Sequence, residues 1–361
     1  MRWEIGQKFV DKVRFSIINE QKYREFRKRI RIAFGKEDAI NPLNISAIHS
    51  KYGKIYYPLY TLYDTERKGG GGDLNIYNEF GEKLEVFFIR DIHSAHIGTT
   101  RSRRILWDRY DFEQKTHFYS HNSMLQTMGK PDKRYGTLAE SESIVPDDYL
   151  IFEKHKGLEK DFDLIFTYNA KILDTISNAR FVPFCAQIWN ESFVVDDLYA
   201  KKTKNISILS SDKLMCELHK FRFDLAHQCK RENLADTFGT FDGGKLVPIA
   251  DTLTDYRYTI CIENDIQPYF FTERLTSALA AQTIPIYLGA TQIDKFFNPE
   301  GIIKITTKSD IKEVLKQCTK KEYERRLPAV LDNYKRVIAQ YTSKTDFIYE
   351  YVVNNKECFK L

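Results

Sequence analysis

Between Tyr258 and Ala290 the chain reads YTICIENDIQPYFFTERLTSALAAQTIPIYLGA, and the fold turns on how this stretch is parsed. YTICI alternates β-branched and apolar residues, which predicts a strand. The strand stops at Glu263-Asn264, and a loop follows through Pro268. Thr272 is suited to cap a helix, and Glu273-Arg274-Leu275 opens one. Leu275, Ala278, Leu279 and Gln282 then recur at i, i+3, i+4 and i+7, the spacing of one helix face. TIPIYLGA returns as a second, buried strand. Strand, helix and strand in this order build a parallel sheet.

This parsing puts Glu263, Asn264, Glu273 and Arg274 at the mouth of a strand–loop–helix–strand unit. Doubly wound sheets bind ligands at the carboxyl ends of their strands. A helix N-terminus offers free N–H groups and positive potential to phosphate, and a guanidinium fork matches phosphate oxygens. A carboxylate beside that arginine would repel phosphate, so Glu273 is better placed on ribose hydroxyls. The cluster thus points to a sugar nucleotide held by its ribose and diphosphate. A Glu273 that only supports the helix dipole and a solvated Arg274 would fit the spacing equally well. Arg222, three residues after His219 in ELHKFRF, is a second diphosphate clamp or, with Lys220 close by, part of a solvated helix face.

Outward from there the rhythm repeats. KNISILSS predicts a strand, DKLMCELHKFRFDLAHQCKREN a helix with Leu214, Leu218, Phe221 and Leu225 along one face, and ADTFGTFDGGK a strand entering a glycine turn. In the first half, KLEVFFIRDI, FDLIFTYN and ARFVPFCAQIW predict strands, and AKILDTIS a helix. HFYSHNSMLQTMG (117–129) reads as a helix stopped at Gly129, and YGTLAESESIVPDDY (135–149) as a short strand opening into an acidic loop. Residues 3–34 read as basic helices, packed on the body or lying on anionic lipid. RKGGGGDL (67–74) lacks the Lys-Ser/Thr of a phosphate loop and reads as a flexible loop. The last region, 309–354, is helical. The class is α/β with parallel sheets. The expected domains are a basic helical segment 1–40, an α/β domain 41–195, a second α/β domain 196–310 and a helical region 311–361.

At 361 residues the chain has room for two cores. A net charge of +5, with acids interspersed among the bases, is too mild to argue for nucleic acid. Six scattered cysteines without a CxxC pair fit a reduced protein. There is no apolar run near the roughly 18 residues of a membrane span and no signal-peptide core. A cytoplasmic protein, or one peripheral on the cytoplasmic membrane, is expected. Metal patterns are weak: Asp161 and Asp163 precede their strand, Asp196 and Asp197 fall in the linker expected near 190–204, and His117 and His121 lack the Glu of HExxH.

The segment DYRYTICIENDIQPYFFTERLTSALAAQTIPIYLGATQIDKFFNPEGIIKI closely resembles the donor-binding signature of glycosyltransferase family 10, the α-1,3/4-fucosyltransferases. Its order is Glu-Asn, a short loop, aromatic-X-Thr-Glu-Lys, an apolar helix, an Ile/Val-Pro-Ile/Val strand with a glycine, then a Phe-Asn-Pro-like segment. The resemblance is strong over roughly 205–305 and weak over 136–189. It implies the GT-B arrangement of two facing Rossmann-like domains. The C-terminal domain would bind GDP-fucose and the other a glycan acceptor, such as a bacterial surface polysaccharide or lipopolysaccharide. Transfer would invert the anomeric centre and need no metal or other cofactor. Asn264 and Arg274 would contact the diphosphate and Glu273 the ribose. Arg222 would neutralise the leaving phosphate, Phe270 would stand beside the sugar, and Glu263 falls within the same donor-binding set. Arg274 replaces the usual Lys and Phe270 a common Tyr, which leaves room for another GDP-linked deoxy sugar or a heptose.

An inverting transfer also needs a base on the acceptor hydroxyl. The family's base is a Glu in a Glu-Ser-Pro-like or Glu-Ala-Pro-like segment, and LAESESIVP offers Glu140 and Glu142. Glu140-Ser141 aligns better. Two residues apart on a strand, both would share a face, and nothing local decides between them. The rival from another class is a non-catalytic nucleotide- or RNA-binding α/β protein.

Overall fold

The computed structural model describes residues 82–90, 104–108, 114–125, 127, 129–183, 186–188, 194–341 and 344–359. The expected helices of 3–34, the glycine run 67–74 and the whole expected segment 1–40 lie outside them. The strands are β1 (Glu85–Arg90), β2 (Ile105–Asp108), β3 (Thr116–Ser120), β4 (Lys133–Leu138), β5 (Leu164–Thr167) and β6 (Ala179–Phe181) in the first half. In the second half they are β7 (Lys204–Leu209), β8 (Asp236–Phe238), β9 (Tyr256–Ile262), β10 (Ile284–Leu288) and β11 (Ile303–Lys304). One sheet runs β2-β1-β3-β4-β5-β6, the other β11-β10-β9-β7-β8. The pairings of β1 with β2 and β3, of β3 with β4, and of every neighbour in the second sheet are parallel. The α/β class with two parallel sheets, expected from the alternation, is what the chain adopts. By contacts the described residues group into two units, those up to 138 with 148–166, and 139–147 with those from 167 onward. The loop carrying Glu140 and Glu142 thus belongs with the second sheet.

The second sheet forms because its strands are apolar on both faces and helices cover them. All five residues of β10 and six of the seven in β9 are buried. The crossover helix Glu217–Glu232 turns Leu218, Leu225, Ala226 and Cys229 onto Ile206, Ile208, Ile260 and Ile262. Each buried leucine contributes about 1.5–3 kcal/mol. Thr272 caps the helix Glu273–Ala280, its hydroxyl accepting the Arg274 N–H at 3.2 Å, as the sequence predicts.

Three local expectations change. HFYS is not helical: it is β3, which lies between β1 and β4 with His117, Phe118, Tyr119 and Ser120 all buried. A central strand covered on both faces carries no alternation to read, and the 3-10 turn His121–Leu125 that follows supplies the short helical echo. The helix after β7 starts at Glu217, not at Asp212, because Thr240 Oγ1 accepts the Asp212 N–H at 3.2 Å and donates to Asp212 Oδ1 at 2.9 Å. Those bonds hold the segment in a loop and leave Leu214 and Met215 exposed, off the apolar face assigned to Leu214. Gln282 lies beyond the helix, left-handed at φ 54°. Its buried side chain donates to Val195 O at 2.6 Å and accepts the Tyr199 N–H at 2.7 Å, pinning the expected linker to the sheet unit.

Candidate active site

The order β8-β7-β9 reverses direction between β7 and β9, so the loops after these two strands diverge and open a crevice at their carboxyl ends. One loop leads into the helix Glu217–Glu232, the other into Glu273–Ala280. Cys216, the N-cap residue of the first, donates its thiol to Asn264 O at 3.2 Å and ties the loops together.

Arg222 sits on the inner face of its helix, 2% exposed, and donates Nη1–H to Ile262 O at 2.8 Å. A solvated helix face is therefore not its environment. Its buried Nε has no hydrogen-bond partner among the described residues. Burial and then the Arg274 guanidinium lower its pKa to about 9, with Glu263 opposing. It remains cationic at neutral pH. The Arg274 guanidinium thus disfavours the Arg222 charge, an opposition that an anion bound at this edge would relieve.

Glu263 is fully buried. Its carboxylate accepts the Thr272 N–H at 2.9 Å and the Thr272 hydroxyl at 2.7 Å. Gly289 must be glycine here, since a Cβ would lie 2.4 Å from Glu263 Cγ and 2.5 Å from Tyr287 Oη. Glu263, grouped with the donor-binding residues on sequence, is placed beneath the loop, where it supports Thr272 and hence the helix tip. Burial pushes its carboxyl up to about 7, the Thr272 hydroxyl bond opposing. The folded state then holds this proton between the ordinary 4.5 and about 7, where the unfolded chain releases it. Stability therefore falls as pH rises through that window and levels off above it. The loss is on the order of 3 kcal/mol at most. Glu263→Gln is expected to remove that slope, so urea midpoints of the two proteins measured from pH 5 to pH 8 should diverge in the variant's favour. Parallel curves would refute a buried, titrating Glu263.

His219 was noted in the sequence only for its spacing to Arg222, and that spacing was its one available signal. It is 6% exposed, and its buried Nδ1 has no hydrogen-bond partner among the described residues. Burial first, then Arg222, Arg274 and Lys213, lower its pKa to about 4, while Glu140 opposes them. The imidazole is neutral above that pH. The charges that act on it come from four segments: the loop after β4, the loop after β7, its own helix and the helix after β9. Asn264 and Glu273 are half-buried at the same edge, and Asn264 Oδ1 has no hydrogen-bond partner among the described residues. Phe270 is 2% exposed, its ring centroid 4.6 Å from that of Tyr168.

Glu140 and Glu142 do not share a strand face, because β4 ends at Leu138 and both lie in the following loop. Glu140 Oε1 accepts the Ser141 N–H at 2.8 Å. Glu142 Oε2 accepts Asn169 Nδ2–H at 2.7 Å and Gln267 Nε2–H at 3.0 Å. Of the weak metal patterns, Asp163 accepts from Lys133 Nζ at 2.8 Å, Asp196 from Tyr334 Oη at 2.9 Å, and His121 faces Asp148 at 3.0 Å. Among the described residues no group of three or more His, Cys, Asp or Glu is gathered as metal ligands. No described helix is long and apolar enough to cross a membrane.

Residues 199–327 match the family model described as glycosyltransferase family 10 (fucosyltransferase) C-term, bearing out the resemblance in the sequence. An α-(1,3)-fucosyltransferase of Helicobacter pylori is 34% identical over 53 residues, 15% of this chain and 11% of that protein, so the match spans about a tenth of the relative's length. A crystal structure of an α1,3-fucosyltransferase with GDP is 13% identical, with a TM-score of 0.44 over 77% of this chain and 94% of that one. Sucrose-phosphate synthase from Thermosynechococcus elongatus gives 11% identity and a TM-score of 0.45 over 69% and 75%.

Proposed function

We propose, for a chain whose residues 199–327 match the C-terminal domain of glycosyltransferase family 10, an inverting transfer of fucose from GDP-fucose to a hydroxyl of a glycan. The observation that carries it is the buried Arg222 at the carboxyl end of β9, on the same edge as the helix tip that bears Arg274, at the crevice between the β7 and β9 loops. The relative of Helicobacter pylori is named an α-(1,3)-fucosyltransferase, and a compared crystal structure holds GDP. Both names support this donor.

A base on the Glu140–Glu142 loop takes the proton of the acceptor hydroxyl. The acceptor oxygen attacks the anomeric carbon, and the bond from that carbon to the diphosphate oxygen breaks with its electron pair on the diphosphate. Arg222 and Arg274 receive the charge that develops there. Asn264 and the helix tip at Glu273 hold the diphosphate, and the Glu273 carboxylate meets the ribose. Cationic side chains take the part a metal would otherwise play at the diphosphate, so transfer is expected without one. Phe270 acts on the sugar through packing only, and a GDP-linked deoxy sugar or heptose in place of fucose is the alternative donor. The acceptor, by family resemblance, is a bacterial surface polysaccharide or lipopolysaccharide, met in the cytoplasm or at the inner membrane face.

A thermal-shift panel of GDP, UDP and CDP and their sugars, with and without EDTA, tests this. GDP and GDP-fucose are expected to raise Tm equally with and without the chelator. At a ligand concentration of about 100 Kd the stabilisation is about 2.7 kcal/mol. Stabilisation by UDP or CDP alone would reject the donor, and steeply salt-dependent binding of RNA in place of nucleotide would favour a non-catalytic protein.

A further inference from the structure

We infer that Glu142 is a positioning residue rather than the base, clamping the loop that carries Glu140 to the loop that holds the donor. This rests on the transferase function proposed above. Two contacts join the loops directly, and a third joins the donor loop to Tyr168, just after β5. Glu142 Oε2 accepts Gln267 Nε2–H at 3.0 Å, Asp265 Oδ2 accepts the Ser143 N–H at 3.1 Å, and Phe270 packs on Tyr168 at 4.6 Å. Tyr168 then bridges the two glutamates. Its hydroxyl accepts the Glu142 N–H at 2.7 Å and donates to Glu140 O at 3.2 Å. Asn169 closes the clamp from the other side. It spends Oδ1 on the Ile172 N–H, capping the helix Ala170–Thr175, and Nδ2–H on Glu142.

The anchoring groups are buried: Tyr168 is 2% exposed, Asn169 3%, Asp265 6% and Phe270 2%. The Glu142 carboxylate is committed through Oε2 to amide groups of two different segments, a role that needs only an acceptor oxygen. The same two bonds do set where the preceding turn lies. Asp265, Gln267 and Phe270 belong to the loop between Asn264 and Arg274. Whatever settles that loop on the diphosphate therefore also settles the position of Glu140. Donor and base are registered to each other within one unit of the chain.

The test measures GDP release from GDP-fucose, with water and with an oligosaccharide prepared from lipopolysaccharide as acceptors, and GDP binding by thermal shift. The variants are Gln267→Leu, Glu142→Leu, Glu142→Gln and Glu140→Gln. Displacing a reacting group by about 1 Å can cost 10²-fold, so Gln267→Leu and Glu142→Leu are expected to lose roughly 10–10² in kcat with GDP affinity within about twofold. Glu142→Gln keeps an oxygen able to accept both amide bonds, and should recover most of the rate lost in Glu142→Leu. A group serving as base would lose as much as the amide as it does as leucine. Glu142→Gln as inactive as Glu142→Leu overturns the clamp, and so does a Gln267→Leu with undiminished kcat. Either result leaves the transferase function standing if Glu140→Gln is inactive. A wild-type protein that neither binds GDP nor releases it removes that function and the clamp together.

Discussion

Glu140→Gln is expected to stop transfer and spare donor binding. General-base catalysis is worth about 10²–10⁴ in rate, and the amide cannot take the acceptor's proton. The substitution keeps shape and a carbonyl oxygen, so the bond from the Ser141 N–H at 2.8 Å survives. The main-chain oxygen of residue 140, held by the Tyr168 hydroxyl at 3.2 Å, is untouched. Tm and GDP affinity should therefore match the wild type within error, while kcat falls by about two orders of magnitude or more. The loss should appear equally in kcat and kcat/KM for the donor, as it does when only the transition state loses an interaction. Turnover at the wild-type rate would remove Glu140 from the mechanism.

Arg274→Ala is expected to cost both binding and rate. Its guanidinium is the more accessible of the pair, half-buried in the first turn of the helix after β9. A hydrogen bond to a charged group contributes about 1.5–3 kcal/mol, which lowers GDP affinity by roughly 10–10². Where charge develops on the leaving diphosphate the loss grows, to about 10²–10³ in kcat. Arg274→Lys should recover part of the affinity, because the charge returns without the planar fork. The fold should tolerate both changes, since the helix start is held by the Arg274 main-chain N–H and the Thr272 hydroxyl. Arg222→Ala is a poorer probe. Removing that buried side chain strands Ile262 O, whose partner at 2.8 Å it is, and would confound folding with binding. GDP stabilisation unchanged in Arg274→Ala would move the diphosphate away from this crevice.

Much of this was legible one segment at a time. YTICI and IPIYL carry the β-branched, apolar character of strands buried on both faces, and Thr272 before Glu273 announces a cap. Both signals are local, so they persist in any tertiary context that buries them. HFYS misleads because β3 is covered on both faces, and continuous burial erases the period that separates strand from helix. The start of the helix after β7 misleads for a different reason. Asp212 and Lys213 have no objection to helix, but Thr240, 28 residues away, holds Asp212 out of it. Arg222 was ambiguous on sequence because its flanking lysine marks a solvated face and the spacing admits either side. Its burial follows from the carbonyl end of β9, which needs a donor there.

From the sequence by itself came the βα alternation, the helix tip at Thr272–Arg274 and the sugar-nucleotide signature around it, because each is written in neighbouring residues. Tertiary structure alone decided that Glu263 turns inward and that His219 is buried where charges from four segments act on it. It alone separated Glu142 from Glu140, by bringing Gln267 to a carboxylate 125 positions earlier in the chain. Hydrogen-bond reach is about 3 Å in space and has no fixed counterpart along a sequence, so partners this remote become visible only once the two loops meet.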